Sequence, residues 1–316
     1  MRTDLVDAIA SDVPDPGTGQ RPAPTERRWL AGALAALAAG VALTAVLGPL
    51  VLGVLVHRTS DTTLNQLLGV DLANLFVVAP FSVAVAVLAW RRHRAAPVLA
   101  LGPAVYAVYT FTQVIVGQEY LRLPGNVERF FPLLLVVFVL GAVIAVAAWT
   151  AIDDLPAPSH RLERMVGVTL LAVAVFLVVG QHLPTLPDAL SDHPTRVEYT
   201  SSPTPFWLVK LMDLGIIVPA ALATGVGLLR HRAWAHRAMY AILGGYTLIA
   251  AAVAAMALVM LRNGDPDASA GMAAAFVTFA AVLAGLTVAL HRPLFARTPR
   301  ARARPRPLRA PTTDPP

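Results

Sequence analysis

Long apolar runs divide the chain into eight segments that are separated by shorter polar stretches. Each run continues for about 20 residues or more, the length of helix needed to cross a bilayer core of about 30 Å. The runs cover residues 29–56, 72–90, 97–116, 131–152, 165–183, 206–229, 238–261 and 270–290. Barrel strands would alternate in polarity over about ten residues, and these runs do not alternate. The pattern predicts an all-α fold, a polytopic transmembrane bundle of eight helices.

The ends of the chain differ from this central region. Residues 1–28 are polar and rich in proline, which predicts a flexible cytoplasmic arm before a transmembrane domain at 29–291. Residues 292–316 predict a disordered tail rich in arginine and proline. The first run contains Gly48-Pro49, so its helix either kinks there or ends early with the remainder in the interface. No convincing repeat relates the first four runs to the last four.

Composition excludes most soluble classes. The chain has 316 residues, of which 56% are hydrophobic and only 14% charged, whereas a soluble domain is about a quarter charged. Cysteine is absent, which excludes disulfides, a thiol nucleophile and a cysteine metal site. The net charge of +6 comes from arginines between the apolar runs. We interpret it as a topology signal and expect no nucleic-acid partner.

The distribution of arginine predicts the orientation in the lipid bilayer. One side of the eight-span topology carries 19 arginines and the other side 5. Because basic residues accumulate in cytoplasmic segments, both termini should be cytoplasmic, in the inner (plasma) membrane of a bacterium. The tail holds seven of these arginines and should bind anionic lipid headgroups.

Two charged residues lie well inside the sixth run, in FWLVKLMDLGIIVPA. Lys210 and Asp213 are three residues apart, so they share a helix face and can form an ion pair. Charges within a membrane commonly mark a substrate, ion or proton site. The alternative is a self-contained pair that only fixes helix packing.

Other polar residues collect in the outer half of the predicted bundle, on the second, third, fifth and sixth runs. The candidates for a ligand or ion pocket, besides Lys210 and Asp213, are Asp71, Asn74, Tyr109, Gln113, Glu119, Gln181 and His182. The simpler interpretation is interhelical hydrogen bonding, which contributes only about 0.6 kcal/mol per bond. Both interpretations stay open at this point.

No catalytic set, cofactor or metal site is predicted. The long outer loop contains Asp188, Asp192, His193 and Glu198, but without a recognised ligand spacing. His231 and His236 lie among arginines and are interpreted as part of a basic turn. DPDASAG resembles a calcium loop only at its start, so we expect a turn in which Asp267 or Ser269 caps the last helix.

The segment DLGIIVPAALATGVGLLRHRAW, which starts at Asp213, resembles a loose, uncharacterised group of bacterial and archaeal multi-pass membrane proteins. In that group an Asp-Leu pair opens a late span, Pro-Ala follows, and the span ends in a basic turn that contains tryptophan. The resemblance implies the architecture and no activity.

Together these observations favour a transporter, a channel or a small-ligand receptor with a polar pocket in the outer half of the bundle. The alternative is a structural or assembly protein in which the same residues pin helices together. An intramembrane enzyme is the least favoured class, because a nucleophile with a base, or a pair of catalytic carboxylates, is not evident.

Overall fold

Eight long helices make up most of the part of the chain that the structure describes. The computed structural model describes residues 24–152, 155–156 and 158–296, with side chains from Arg28 onward, and these residues contain no strand. The helices are α1 (Pro24–Leu47), α2 (Asp61–Trp90), α3 (Ala96–Val116), α4 (Val127–Thr150), α5 (His160–His182), α6 (Pro203–Leu229), α7 (Ala233–Arg262) and α8 (Ala270–Phe295). Each is long and apolar enough to cross a membrane. The prediction of an all-α bundle with eight spanning helices is confirmed.

The second helix begins 11 residues earlier than the hydropathy pattern predicts. Ser60 caps it, because its side-chain oxygen accepts a hydrogen bond from the backbone N–H of Thr63. Asp71 therefore lies ten residues into α2, about 15 Å along the helix at 1.5 Å per residue. Asp71 and Asn74, which lie at the edge of the apolar run 72–90, are therefore both well inside the helix.

The first helix ends at Leu47, directly before Gly48-Pro49. Of the two outcomes left open by the sequence, the early end is therefore the one observed. Residues 48–60 form an irregular segment that returns to the start of α2.

Hydrogen bonds between loops define one end of the bundle, which we call the distal end: residues 48–60, 117–126, 183–202 and 263–269. The Arg58 guanidinium, 2.5 Å from a Glu128 oxygen, ties the first of these loops to the start of α4. The Ser202 hydroxyl lies 2.8 Å from the Ser60 hydroxyl, and the Asn65 amide donates to Asp265 at 2.8 Å. The loops that follow α1, α3, α5 and α7 thus lie on the same side of the bundle.

The opposite, proximal end holds both ends of the described chain. The guanidinium of Arg28, at the start of α1, lies 5.8 Å from the Trp90 ring centroid at the end of α2. Arg94 donates to the carbonyl oxygens of Leu294 and Ala296, each at 2.8 Å. An even number of crossings follows from this arrangement.

The bundle extends past residue 291, the boundary expected from sequence. Residues Arg292–Phe295 form a 3-10 turn in which Leu294 is buried. This turn is held by Arg94 and belongs to the packed domain. The remainder of the predicted tail, residues 297–316, and residues 1–23 of the predicted arm lie outside the described residues.

Glycines allow the closest contacts between helices. A Cβ added to Gly69 on α2 would lie 2.3 Å from the Met256 Cα on α7. A Cβ added to Gly225 on α6 would lie 2.9 Å from the carbonyl oxygen of Gly167 on α5. Close backbone approach through small residues is the usual packing mode in membranes, because lipid supplies no hydrophobic force between helices.

Three helices contain a wide π-helical turn, and each turn is followed by proline at the same distance. The N–H of Ala79 donates to the carbonyl of Asn74, that of Leu183 to Val178, and that of Val218 to Asp213. The next residue is proline in each case, at positions 80, 184 and 219. A proline ring clashes with the carbonyl four residues before it, and a wider turn relieves the clash.

Candidate functional site

The centre of the candidate site is the Asp213 carboxylate, at the first residue of the π turn in α6. One oxygen accepts a hydrogen bond from the Tyr109 hydroxyl of α3 at 2.5 Å. The other lies 3.0 Å from Nε2 of His182, at the end of the π turn in α5. Asp213 and His182 are both buried. We call these three residues the Asp213 cluster; it joins three helices through one carboxylate.

A second polar contact lies beside this cluster and uses the same helix α3. The Tyr106 hydroxyl donates to the side-chain oxygen of Asn74 at 2.8 Å, and both residues are buried. Asn74 opens the π turn of α2 as Asp213 opens that of α6. Tyr106 and Tyr109, three residues apart, thus reach two different neighbouring helices.

Asp71 lies one turn before Asn74 and has an unsatisfied oxygen. Its carboxylate is buried, and Oδ2 has no hydrogen-bond partner among the described residues. A Cβ added to Gly48 would lie 2.7 Å from this oxygen, so only glycine leaves it room. Buried polar atoms are nearly always paired, so this oxygen is one of few exceptions among the described residues.

Lys210 and Asp213 do not form the ion pair that their spacing suggested. The Lys210 ammonium lies 3.8 Å from a Glu198 oxygen in the distal loop and 3.3 Å from the Phe206 ring centroid. Asp213 instead contacts Tyr109 and His182. The reason is directional, since a long lysine side chain extends towards the nearest aqueous end while the short aspartate stays at its own depth.

Glu119 stabilises the start of α6. Its Oε1 accepts a hydrogen bond at 2.7 Å from the backbone N–H of Thr204, and its Oε2 lies 3.6 Å from the Arg122 guanidinium. A carboxylate beside the first N–H groups of a helix satisfies donors that have no partner within the helix. Glu119 therefore holds the distal end of the site in place.

The remaining two candidates lie at the edge of the site. Gln113, one turn beyond Tyr109 on α3, is close enough to contact the tyrosine hydroxyl. Gln181 is half-buried at the end of α5, and its side chain forms no hydrogen bond within the described part of the chain. The structure brings Gln113 to the Asp213 cluster and leaves Gln181 beside it.

The distal loops above the site are ordered by specific polar contacts. Asp188 accepts hydrogen bonds from the backbone N–H of Arg196 at 2.9 Å and from Thr195. These bonds lower the pKa of Asp188, so the group serves as an anchor of the loop. His57 is buried beside Gln118, and this burial lowers its pKa to about 4.

Sequence reasoning left Tyr106 out of the set of pocket candidates, and it missed the local similarity between α2 and α6. The segments NLFVVAP, from Asn74, and DLGIIVP, from Asp213, align with leucine second, aliphatic residues fourth and fifth, and proline last. Both form a five-residue π turn whose first side chain accepts from an α3 tyrosine. The sequence signal that could have revealed this similarity is the proline that follows Asn74 and Asp213 at the same distance in both segments.

Comparison of the chain with protein-family models, with curated proteins and with solved structures gives no match.

Proposed function

We propose that this chain is a proton-coupled transporter in which Asp213 carries the proton. The observation that carries the proposal is the placement of a buried carboxylate between an imidazole and a phenol, at a junction of three helices. Asp213 lies ten residues into α6, about 15 Å from its distal end. Ionisable chains at such depth are typical of proton pathways in pumps and transporters.

Protonation would change what the carboxylate can bind. An ionised carboxylate only accepts hydrogen bonds, so it holds the Tyr109 O–H and a His182 N–H together. A protonated carboxyl group has one donor and attracts both neighbours less strongly. Both contacts are then weakened, and α3 and α5 are held less tightly to α6.

The π turns give these helices a place to bend. Wide turns interrupt the regular bonding of α2, α5 and α6 next to Asn74, His182 and Asp213. Such turns are frequent at functional sites and at kinks. The unsatisfied oxygen of Asp71 supplies a second acceptor at a similar depth, where a proton or a cationic group of a substrate would be stabilised.

The proposal is tested by charge movement, which requires no knowledge of the substrate. Purified full-length protein is reconstituted on a solid-supported membrane and given a rapid pH step from the distal side. The unmodified protein should displace charge, Asp213→Asn should abolish this signal, and Asp192→Asn in the exposed distal loop should retain it. Equal signals from Asp213→Asn and the unmodified protein would refute the proposal.

A structural role is the second candidate, favoured by the fact that both Asp213 oxygens already have protein partners. In that case the Asp213 cluster only joins α3, α5 and α6. The same experiment separates the two functions, because a purely structural cluster displaces no charge upon the pH step in the unmodified protein. Thermal unfolding of the Asn variant then reports its contribution to stability.

We further propose that the proximal end faces the cytoplasm of a bacterial cell. This orientation rests on the arginine asymmetry, and the seven arginines from residue 292 onward would bind anionic headgroups at about 1 kcal/mol each near the surface. Tags at both termini should be accessible only from the cytoplasm and a tag at Ser191 only from outside. A Ser191 tag that is accessible from the cytoplasm would invert the topology.

A further inference from the structure

A cluster of histidines surrounds one buried carboxylate at the proximal end, far from the Asp213 cluster. Glu163, in the first turn of α5, is buried with only 3% of its side chain exposed. His160 Nδ1 lies 3.5 Å and His231 Nδ1 3.8 Å from Glu163 Oε2. His236 Nε2 lies 3.2 Å from the other oxygen, Oε1. The spacing of His231 and His236 in sequence gave no indication of this convergence.

The fold itself aims these side chains at one point. His160 and Glu163 lie one turn apart on α5 and share a face. His231, the second residue after α6, lies in the left-handed region at φ 52°, and its N–H and that of Arg232 donate to carbonyl groups of the last turn of α6. His236 belongs to the first turn of α7. Two helices, α5 and α7, and the turn between α6 and α7 therefore contribute to one cluster.

Two polar atoms of this cluster are unsatisfied. Neither Glu163 Oε2 nor His236 Nε2 has a hydrogen-bond partner within the described ranges. The two imidazoles that approach Oε2 meet edge to face, with ring centroids 5.4 Å apart.

We propose that His160, Glu163 and His231 bind a divalent transition-metal ion of the zinc class, with His236 as a fourth ligand. The ligand atoms of the first three residues all lie within 4.8 Å of one another. Tetrahedral zinc, with bonds of about 2.0–2.1 Å, places its ligand atoms about 3.4 Å apart. Small side-chain movements would bring the ligand atoms from their present separations to those of a tetrahedral site.

The donor set selects the class of ion. Imidazole nitrogen suits zinc, copper, iron and nickel, whereas magnesium and calcium require mostly oxygen ligands. The cluster offers one carboxylate against three imidazoles. His160 and His231 are largely exposed, at 89% and 65%, so the ion can enter from the aqueous phase while Glu163 closes the site from within. A bound ion would link the start of α5 to the turn between α6 and α7.

The test measures zinc binding by full-length protein without a polyhistidine tag, stripped of metal with a chelator. Zinc is titrated in competition with a chromophoric chelator, for the unmodified protein and for Glu163→Gln, His231→Ala and His193→Ala. His193 is an exposed distal histidine and serves as the matched control. Loss of a supporting residue commonly weakens metal binding 10–100-fold, and loss of a direct ligand should cost at least as much.

The expected result is one tight site per chain that Glu163→Gln and His231→Ala each weaken more than about tenfold, with His193→Ala unchanged. His231→Ala alters an exposed side chain, so it keeps the test decisive if Glu163→Gln does not fold. Cobalt in place of zinc should show the absorption of a tetrahedral site. Binding of similar strength in all four proteins, or no binding in the unmodified protein, would overturn the proposal.

Discussion

The two tyrosines of α3 provide a direct measure of the charge on Asp213. Tyr109 donates to a carboxylate at 2.5 Å, and Tyr106 donates to a neutral amide oxygen at 2.8 Å. The residues are one turn apart, and each contacts the first residue of a π turn. Replacement of each by phenylalanine removes one hydroxyl group and leaves the ring in place. The two substitutions remove the same group, and the acceptors differ in charge; Tyr106 is fully buried and Tyr109 half-buried.

The magnitude follows from the nature of each bond. Hydrogen bonds between transmembrane helices contribute about 0.6 kcal/mol on average, which we expect for Tyr106→Phe. Bonds to charged groups contribute about 1.5–3 kcal/mol, which we expect for Tyr109→Phe if Asp213 is ionised. The two variants should thus differ by about 1 kcal/mol or more in the free energy of unfolding.

The assay is reversible unfolding of the purified protein in mixed micelles, with the free energy taken from the transition. A double-mutant cycle of Tyr109→Phe with Asp213→Asn should give a coupling energy of at least about 0.5 kcal/mol. Equal losses for the two tyrosine variants would refute the reasoning. That outcome would mean that the Asp213 carboxyl group is neutral, or that its contact with Tyr109 adds no charge-assisted stability.

Three other predictions concern the loops and the packing. The free energy of unfolding should fall by up to about 3 kcal/mol as the pH drops from about 6.5 to about 4, because His57 is protonated in this window in the unfolded chain and not in the folded chain. His57→Gln should flatten this part of a plot of melting temperature against pH, and an unchanged slope would show that His57 is not the group responsible. Gly69→Leu should prevent correct packing of α2 on α7, whereas Gly32→Leu should be tolerated, because an added Cβ at Gly32 meets nothing within 4 Å. Gel filtration and melting temperature compare the two variants, and equal melting temperatures would argue against the close contact at Gly69. Because Lys210 and Asp213 hold different partners, Lys210→Leu should not rescue the stability lost in Asp213→Leu; recovery in the double variant would show that the two charges do pair.

The helices were predictable because lipid imposes a simple rule. A backbone in hydrocarbon must bond to itself, so a long apolar run can hardly be anything but a helix. The same reasoning placed the first residue of α2 at 72 instead of 61. The segment DTTLNQLLGV, residues 61–70, is too polar to be counted in an apolar run, although it is helical and capped by Ser60. The error hid the depth of Asp71.

The polar residues of the candidate site could be listed from the sequence, but the partners that each one contacts could not. Charges inside a span are costly, which identified Asp213 and Lys210 directly. Their partners depend on how α3 and α5 pack against α6, and this packing is decided by contacts between segments far apart in sequence. The prolines at 80, 184 and 219 carry part of the missing information. Proline alone is insufficient, since Pro103 lies inside α3 without a π turn.

The π turn that begins at Asp213 also changes the phase of α6. A regular helix advances about 100° per residue, so a turn that holds one extra residue rotates everything after it by about that angle. Residues before and after the turn that a helical wheel would place on one face therefore point in different directions. Deletion of one residue between Leu214 and Ile217 would restore a regular helix and turn Gly225 away from Gly167. The same holds for α2, where Asn74 begins the turn, so in both helices the side chains beyond the turn point in a different direction from the one a regular helix would give them.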